Sequence, residues 1–229
     1  MESKAMPGWA NQEDVAVVSV PAGKARSMGR EEWNRRYAIS EFLWTVDANC
    51  FLVAEAASLP PGRALDLATG EGRNAVWLAE QGWQVCGVDF ADVGLHKGRN
   101  LAARRGVAER VCFEEADLRC YRPEPGGFDL VTLIYLQIPQ AELQPVLVKA
   151  AQAVAPGGTF LLIAHDASNL TDGIGGPQDA SVLYTAEQVV AAIGQALLIE
   201  KAHTVERLVE TDDGPRLAID CLVRGRRLS

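Results

Sequence analysis

The sequence has no Cys-x-x-Cys pair, and its five cysteines, Cys50, Cys86, Cys112, Cys120 and Cys221, are scattered over 229 residues. An odd, dispersed set suggests neither a disulfide framework nor a zinc site, so no metal and a reducing, cytoplasmic setting are expected. Histidine is scarcer still, with three in the chain. No segment approaches the ~20 apolar residues that span a bilayer, and no long apolar run follows Lys4, so neither a membrane partner nor a leader is expected. Positive charge is also in deficit. Lys and Arg number 22 against 30 Asp and Glu, a formal net charge of −8, and the only cluster is Arg224, Arg226 and Arg227. Nucleic acid is therefore a poor partner, because basic side chains facing phosphates supply most of that affinity. A small molecule fits better.

What the chain does have is 48% hydrophobic residues, enough for the core of one α/β domain. The most informative stretch is Arg63-Ala-Leu-Asp-Leu-Ala-Thr-Gly-Glu-Gly-Arg-Asn-Ala-Val-Trp-Leu-Ala79. It reads as a buried strand, a glycine turn and a helix start, with Asp66 inside the strand and Glu71 inside the turn. Gly70-x-Gly72-x-x-Ala75 also fits a dinucleotide fingerprint, with Asp89 as its ribose acid. A pyrophosphate, however, rests on backbone N–H groups at a positive helix N-terminus, where Glu71 and Asp66 add negative charge. S-adenosylmethionine carries an ammonium and a sulfonium and no phosphate, so the acids that disfavour NAD(P) favour it. Asp66 lies in a strand where an unpaired acid costs several kcal/mol. It is expected to order the turn and attract the methionine ammonium.

Three further runs end in polar residues. Trp83-Gln-Val-Cys-Gly-Val-Asp89-Phe90 places a carboxylate to accept both ribose hydroxyls. Val111-Cys-Phe-Glu-Glu-Ala-Asp117-Leu118 places another to accept from an adenine amino group, with Phe90 and Leu118 as apolar walls. Phe128-Asp-Leu-Val-Thr-Leu-Ile-Tyr135 ends beside the turn. Ligands of open α/β sheets bind outside the carboxyl ends of the strands, where all these residues fall.

At these residues the chain resembles class I S-adenosylmethionine-dependent methyltransferases, from about Glu31 to Arg224. Within them it is most similar to the tellurite-resistance-type and thiopurine-methyltransferase-like group. Gly72-Arg73-Asn74 is similar to the former, and Glu31-Glu32-Trp33-Asn-Arg-Arg-Tyr37 with Trp44 to the latter's cofactor-covering segment. Ala68-Thr69 stands where the family often has Gly-Cys. Strand four continues as Tyr135-Leu-Gln137-Ile-Pro, unlike the Asn/Asp-Pro-Pro-Tyr/Phe signature of enzymes that methylate adenine or glutamine. The resemblance implies a Rossmann-like, seven-stranded, mostly parallel sheet of order 3-2-1-4-5-7-6, with helices on both faces and covering helices at the N-terminal side. It also implies cofactor contacts from Tyr37, Trp44, Asp66, Ala68, Gly70, Gly72, Arg73, Asn74, Asp89, Phe90, Asp117, Leu118 and Tyr135.

Along the chain, residues 1–29 read as an arm and residues 30–229 as one domain. Helical patterns cover Arg30 to Ser40 and Ala48 to Leu59. The amphipathic run Leu143, Val146, Leu147, Ala150, Ala151, Val154 ends at Pro156-Gly157-Gly158, and Thr159 to His165 makes a fifth strand. Thr185-x-x-Gln188 is a capping box, and strands near Leu197–Glu210 and Arg216–Arg224 flank Asp212-Asp213-Gly214. The glycine-rich connection from His165 to Thr185 exceeds the ~2–6 residues usual in such units and reads as a substrate lid. His165 with Asp166 beside it is the expected catalytic pair, with Tyr135 near the methyl and Gln137 and Gln178 orienting the acceptor. His96 is expected on an exposed helical face and His203 on an edge strand. The expected function is methyl transfer to a heteroatom of a small molecule. The alternatives are a methyltransferase fold with a binding or non-methylating role and, less favoured, an NAD(P)-dependent oxidoreductase.

Overall fold

A computed structural model describes residues 28–229. The arm expected over residues 1–29 therefore lies, but for Met28 and Gly29, outside the described residues. Two short helices, α1 (Arg30–Ala38) and α2 (Cys50–Ala56), precede the sheet. Alternation then sets in with β1 (Arg63–Leu67), α3 (Arg73–Glu80), β2 (Gln84–Asp89), α4 (Asp92–Arg104), β3 (Val111–Glu115), β4 (Phe128–Ile134) and α5 (Gln140–Ala153). It closes with β5 (Val154–His165), α6 (Asn169–Asp172), α7 (Ala186–Ile193), β6 (Leu198–Val209) and β7 (Arg216–Arg226). The seven strands run in the order 3-2-1-4-5-7-6, as expected. Neighbours β1 to β5 pair in parallel, while β7 is antiparallel to both β5 and β6.

Two apolar clusters sandwich this sheet. Leu65, Leu67, Leu133 and Leu162 pack on one face against Leu143, Val146, Leu147 and Ala150 of α5. Ala64, Leu130 and Leu161 join Val76, Leu78 and Leu95 of α3 and α4 on the other. Each fully buried leucine contributes about 2 kcal/mol of transfer free energy, so the central strands hold a rigid platform. The capping box at α7 is present: Thr185 Oγ1 accepts from the Gln188 N–H at 3.3 Å and Gln188 Oε1 from the Thr185 N–H at 3.1 Å.

One element departs from expectation. Pro156-Gly157-Gly158 lies inside β5, which starts at Val154, and its register with β4 shifts between Phe128 and Leu130. A bulge absorbs the proline and glycines that otherwise end a strand. His96 and His203 are exposed, the latter on edge strand β6. Among the described residues, no helix is long and apolar enough to cross a membrane.

Candidate active site

The turn after β1 is built from residues in the left-handed region: Ala68 at φ 60°, Gly70 at 55° and Gly72 at 79°. Ala68 stands where a glycine relieves that conformation, at a cost of about 1–2 kcal/mol. A Cβ on Gly72 would come within 2.7 Å of the Phe113 ring and 2.8 Å of Gly98 Cα, so α3 can begin this close to α4 only without a side chain there. Asp66, 1% exposed, accepts from Thr69 Oγ1 at 2.6 Å and Thr132 Oγ1 at 2.7 Å. Burial pushes its carboxyl up to about 6, against the pull of those two hydroxyls. Thr69 thus fits the Cys position of the family pattern by tying the turn to Asp66.

Asp89 ends β2, and each of its oxygens accepts a backbone N–H at 2.9 Å, from Gly70 and from Ala91. A carboxylate offers about four lone-pair directions, so acceptor capacity remains for two hydroxyls. Burial raises its pKa, offset in part by the backbone donors. Tyr37 of α1 is buried, and its hydroxyl would lie 2.9 Å from a Cβ on Gly70, directly over the turn.

Glu71 does something the sequence reading missed. It is 4% exposed and accepts from the Leu43 N–H at 2.9 and 3.0 Å and from the Trp44 N–H at 3.2 Å. Lys97 Nζ of α4 donates to it at 2.9 Å and to the Ser40 carbonyl at 2.7 Å. The turn therefore latches the covering segment, and Glu71's charge is offset by Lys97. The weight against a pyrophosphate shifts accordingly to Asp66 and Asp89.

The second half of the site lies beyond β4 and β5. Tyr135 follows β4 at φ 58°, an outlying conformation for an aromatic residue. Its hydroxyl donates to Asp220 Oδ2 at 2.7 Å and accepts from Asn49 Nδ2 at 3.4 Å, and its ring lies 4.7 Å from that of His165. His165 Nδ1 is 3.1 Å from Asp220 Oδ1, a close approach that falls short of hydrogen-bond alignment, and neither atom has a hydrogen-bond partner among the described residues. Arg207 Nε of β6 donates to Asp220 Oδ2 at 2.9 Å, and its guanidinium lies 5.9 Å from the Tyr135 ring centroid. Burial raises the Asp220 carboxyl, but His165, Arg207 and Tyr135 together outweigh it and hold it below its ordinary value. Burial and the Asp220 charge push the Tyr135 phenol well up, keeping it a donor.

The expected His165–Asp166 pair is corrected. Asp166 Oδ1 accepts from the Ser168 N–H at 2.9 Å and from its Oγ at 2.7 Å, turning the following loop instead. Asp166 is the first residue beyond β5, where extended backbone turns successive side chains to opposite faces, whereas Asp220 is His165's register partner on β7. Other expected residues are placed differently. Asn74 accepts from the Asn49 N–H at 3.0 Å, and Asn49 in turn caps α2. Trp44 is 40% exposed, with only its backbone on Glu71. Asp117 is taken by Arg119 Nε at 2.9 and 3.1 Å on a half-exposed rim. Leu118 is buried in the core, Phe90 and Gln137 are half-buried, and Gln178 is exposed with its amide on the Gly176 carbonyl at 3.4 Å. Arg73, half-buried at the start of α3, makes no side-chain hydrogen bond or ion pair among the described residues. The expected lid lies against the site: a Cβ on Gly176 would come within 3.0 Å of the His165 ring. Asn169 ties that loop to β7 by accepting from the Ile219 N–H at 2.7 Å.

Comparison with known proteins agrees with this geometry. Residues 64–158 match the family described as methyltransferase domain. A 2-heptyl-1-hydroxyquinolin-4(1H)-one methyltransferase of Mycobacteroides abscessus is 27% identical over 52% of this chain and 53% of its own. Thiocyanate methyltransferase 1 of Arabidopsis thaliana is 28% identical over 65% of each chain. The chain thus spans about half to two thirds of the length of these relatives. Among solved structures, the N-methyltransferase NodS of Bradyrhizobium japonicum WM9 with S-adenosylhomocysteine superposes with a TM-score of 0.66 at 15% identity, over 87% of this chain and 98% of that one. The fold is Rossmann-like, as in this solved structure, residues 64–158 match a methyltransferase domain, and both resemblances support S-adenosylmethionine as the cofactor.

Proposed function

We propose that the protein is an enzyme that transfers the methyl group of S-adenosylmethionine to an oxygen, nitrogen or sulfur atom of a small molecule. The observation that carries this reading is the convergence, at the carboxyl ends of β1, β2, β4 and β5, of the glycine turn and Asp89 with Tyr135 and His165. When bound, the cofactor supplies a methyl on a sulfonium, an electrophile that needs no further activation. Asp89 holds the ribose, the turn and Tyr37 bracket the remainder, and Asp66 lends charge through the turn it orders. Phe90 and Leu118 flank the adenine.

The chain's remaining task is to align the attacking atom and exclude water. Asp220 at Nδ1 favours the tautomer with its proton there, which leaves His165 Nε2 as the acceptor for the proton of a hydroxyl, ammonium or thiol. Tyr135, itself a donor to Asp220, fixes the opposite wall, and Gln137 lies two residues farther along. The loop of residues 170–181 and the covering segment close the two open sides. Gly72-Arg73-Asn74 and the covering helix support a place near the tellurite-resistance-type and thiopurine-methyltransferase-like group.

Product analysis tests the reading. S-adenosylhomocysteine formed only when an acceptor is present, with the acceptor gaining one methyl, is the expected result. Cofactor turnover without methylated product would favour redirected chemistry on the same fold, and tight NADH binding would favour an oxidoreductase.

A further inference from the structure

Asp220 accepts on one oxygen and keeps the other in reserve. Its Oδ2 takes the Tyr135 hydroxyl at 2.7 Å and Arg207 Nε at 2.9 Å. Its Oδ1 takes neither and stands 3.1 Å from His165 Nδ1, and both of these atoms are buried without a hydrogen-bond partner among the described residues. Leaving two such groups unpaired is costly, and a proton on Nδ1 facing Oδ1 is the arrangement that satisfies both. Sheet register explains how an arginine reaches this carboxylate. Val205 of β6 stands opposite Asp220 of β7, and Arg207 stands opposite Ala218. Arg207 is therefore the diagonal neighbour of Asp220 on the same face, a separation of about 7–8 Å that a long side chain spans.

The Arg207 side chain is 25% exposed and that of Asp220 is 0% exposed, so the pair is largely shielded from solvent and its charges act strongly on their neighbours. A buried carboxylate without a fixed counter-charge draws a proton onto an adjacent imidazole, and an imidazolium cannot take a second one. Arginine is permanently charged, so beside it Asp220 is balanced and serves only as an acceptor. The other groups against the imidazole are uncharged: the Tyr135 phenol, with ring centroids 4.7 Å apart, and the Gly176 backbone of the loop after β5. Asp166, the next residue in the chain, is engaged by Ser168.

We propose that Arg207 is a positioning residue for the base: it pairs with Asp220 through Oδ2, holds Oδ1 towards His165 Nδ1 and keeps the imidazole uncharged, leaving Nε2 to take the acceptor's proton. This inference rests on the methyl-transfer reading and adds to it a residue outside the stretch that matches the methyltransferase family. Arg207 acts through Asp220, not on the acceptor.

Nitrogen-15 NMR of the imidazoles tests this on the protein loaded with S-adenosylhomocysteine, because the chain has three histidines and His165→Gln identifies the signals that matter. In the parent, neutral His165 should carry its proton on Nδ1. In Arg207→Met the imidazolium should persist to a pH about one unit higher than in the parent, since loss of a nearby positive charge favours the protonated ring. Arg207→Lys, which keeps the charge, should restore most of the parent's behaviour. Arg207→Gln, which keeps a donor without the charge, should behave as Arg207→Met and replaces it if that variant does not fold. S-adenosylhomocysteine affinity should be unchanged in the Arg207 variants. A parent His165 with its proton on Nε2 overturns the proposal without any variant. So does a titration in folded Arg207→Met or Arg207→Gln that coincides with the parent's, or one that Arg207→Lys fails to restore. Failure of the methyl-transfer reading would show separately, as a parent that does not bind S-adenosylhomocysteine, and the same imidazole signals can then be followed in the unloaded protein.

Discussion

His165 and Asp220 stand opposite one another in the antiparallel pair of β5 and β7, and the carboxylate that faces the imidazole is fully buried. Asp220→Asn preserves shape and removes the charge that favours the useful tautomer. Turnover with acceptors that must lose a proton should fall by about 10²–10⁴-fold, with a smaller loss for acceptors already ionised, as should also hold for His165→Ala. S-adenosylhomocysteine affinity should be unchanged in both. Turnover against pH for an acidic and a weakly acidic acceptor measures this. Full activity in either variant would return the pair to a structural role.

Asp89→Ala removes a carboxylate that serves the turn and, in the proposed complex, the ribose. Affinity for S-adenosylhomocysteine should drop by about 1.5–3 kcal/mol, the worth of hydrogen bonds to a charged group. Melting temperature should fall as well, because the Gly70 N–H loses its acceptor. An isotherm indistinguishable from that of the parent protein would remove Asp89 from the site.

Glu71→Gln leaves Lys97 without an ion partner and weakens the hold on the Leu43 and Trp44 N–H groups. Hydrogen exchange should show residues 41–45 losing protection in the variant. In the parent, that segment and residues 170–181 should gain protection when S-adenosylhomocysteine and an acceptor bind together. If neither segment responds, the covering role assigned to both is wrong.

Asp66 predicts an unusual pH dependence. Its folded carboxyl, pushed up to about 6, holds a proton between pH ~4 and ~6 that the unfolded chain has already released. Folding stability from this group therefore declines as pH rises through that window, by an amount on the order of 2–3 kcal/mol. Asp89 is shifted in the same direction. Asp220 works oppositely, since its carboxyl lies below the ordinary value, and its contribution is lost only as pH drops below ~4. Urea midpoints at pH 4 and pH 6.5 should converge in Asp66→Asn. An identical pH slope in parent and variant would disprove the assignment.

The glycine turn and Asp89, the proposed cofactor side, were legible as structure because they lie in sequence-local units: a turn between strand and helix, and an acid at the next strand's end. The surroundings of His165, the proposed acceptor side, were not. Asp166 adjoins His165 in the chain, yet the two-residue pleat of extended backbone turns it away, and register with β7 brings in Asp220. The signal existed, because the argument that marks Asp66, an acid inside an apolar run, applies equally to Asp220 within Leu217-Ala-Ile-Asp-Cys-Leu-Val223. Arg207 and Lys97 gave no such sign. Each sits among other charged residues on an element with an exposed face, and only tertiary packing selects the one that turns inward. Glu71 was noticed for its charge, while its actual bonds run to backbone N–H groups of an irregular segment that no periodicity predicts.

Asp220 and Arg207 come from the β6–β7 hairpin, beyond the residues 64–158 that match the methyltransferase family. On the proposed reading, recognition of the cofactor and selection of the acceptor are carried by separate stretches of one chain, joined where β5 meets β7 and where Tyr135 meets Asp220. A graft follows from this arrangement. Replacing the hairpin with that of a relative of different acceptor preference, while keeping the edge contacts of β5, should redirect which molecule is methylated and leave the grip on the cofactor as it was.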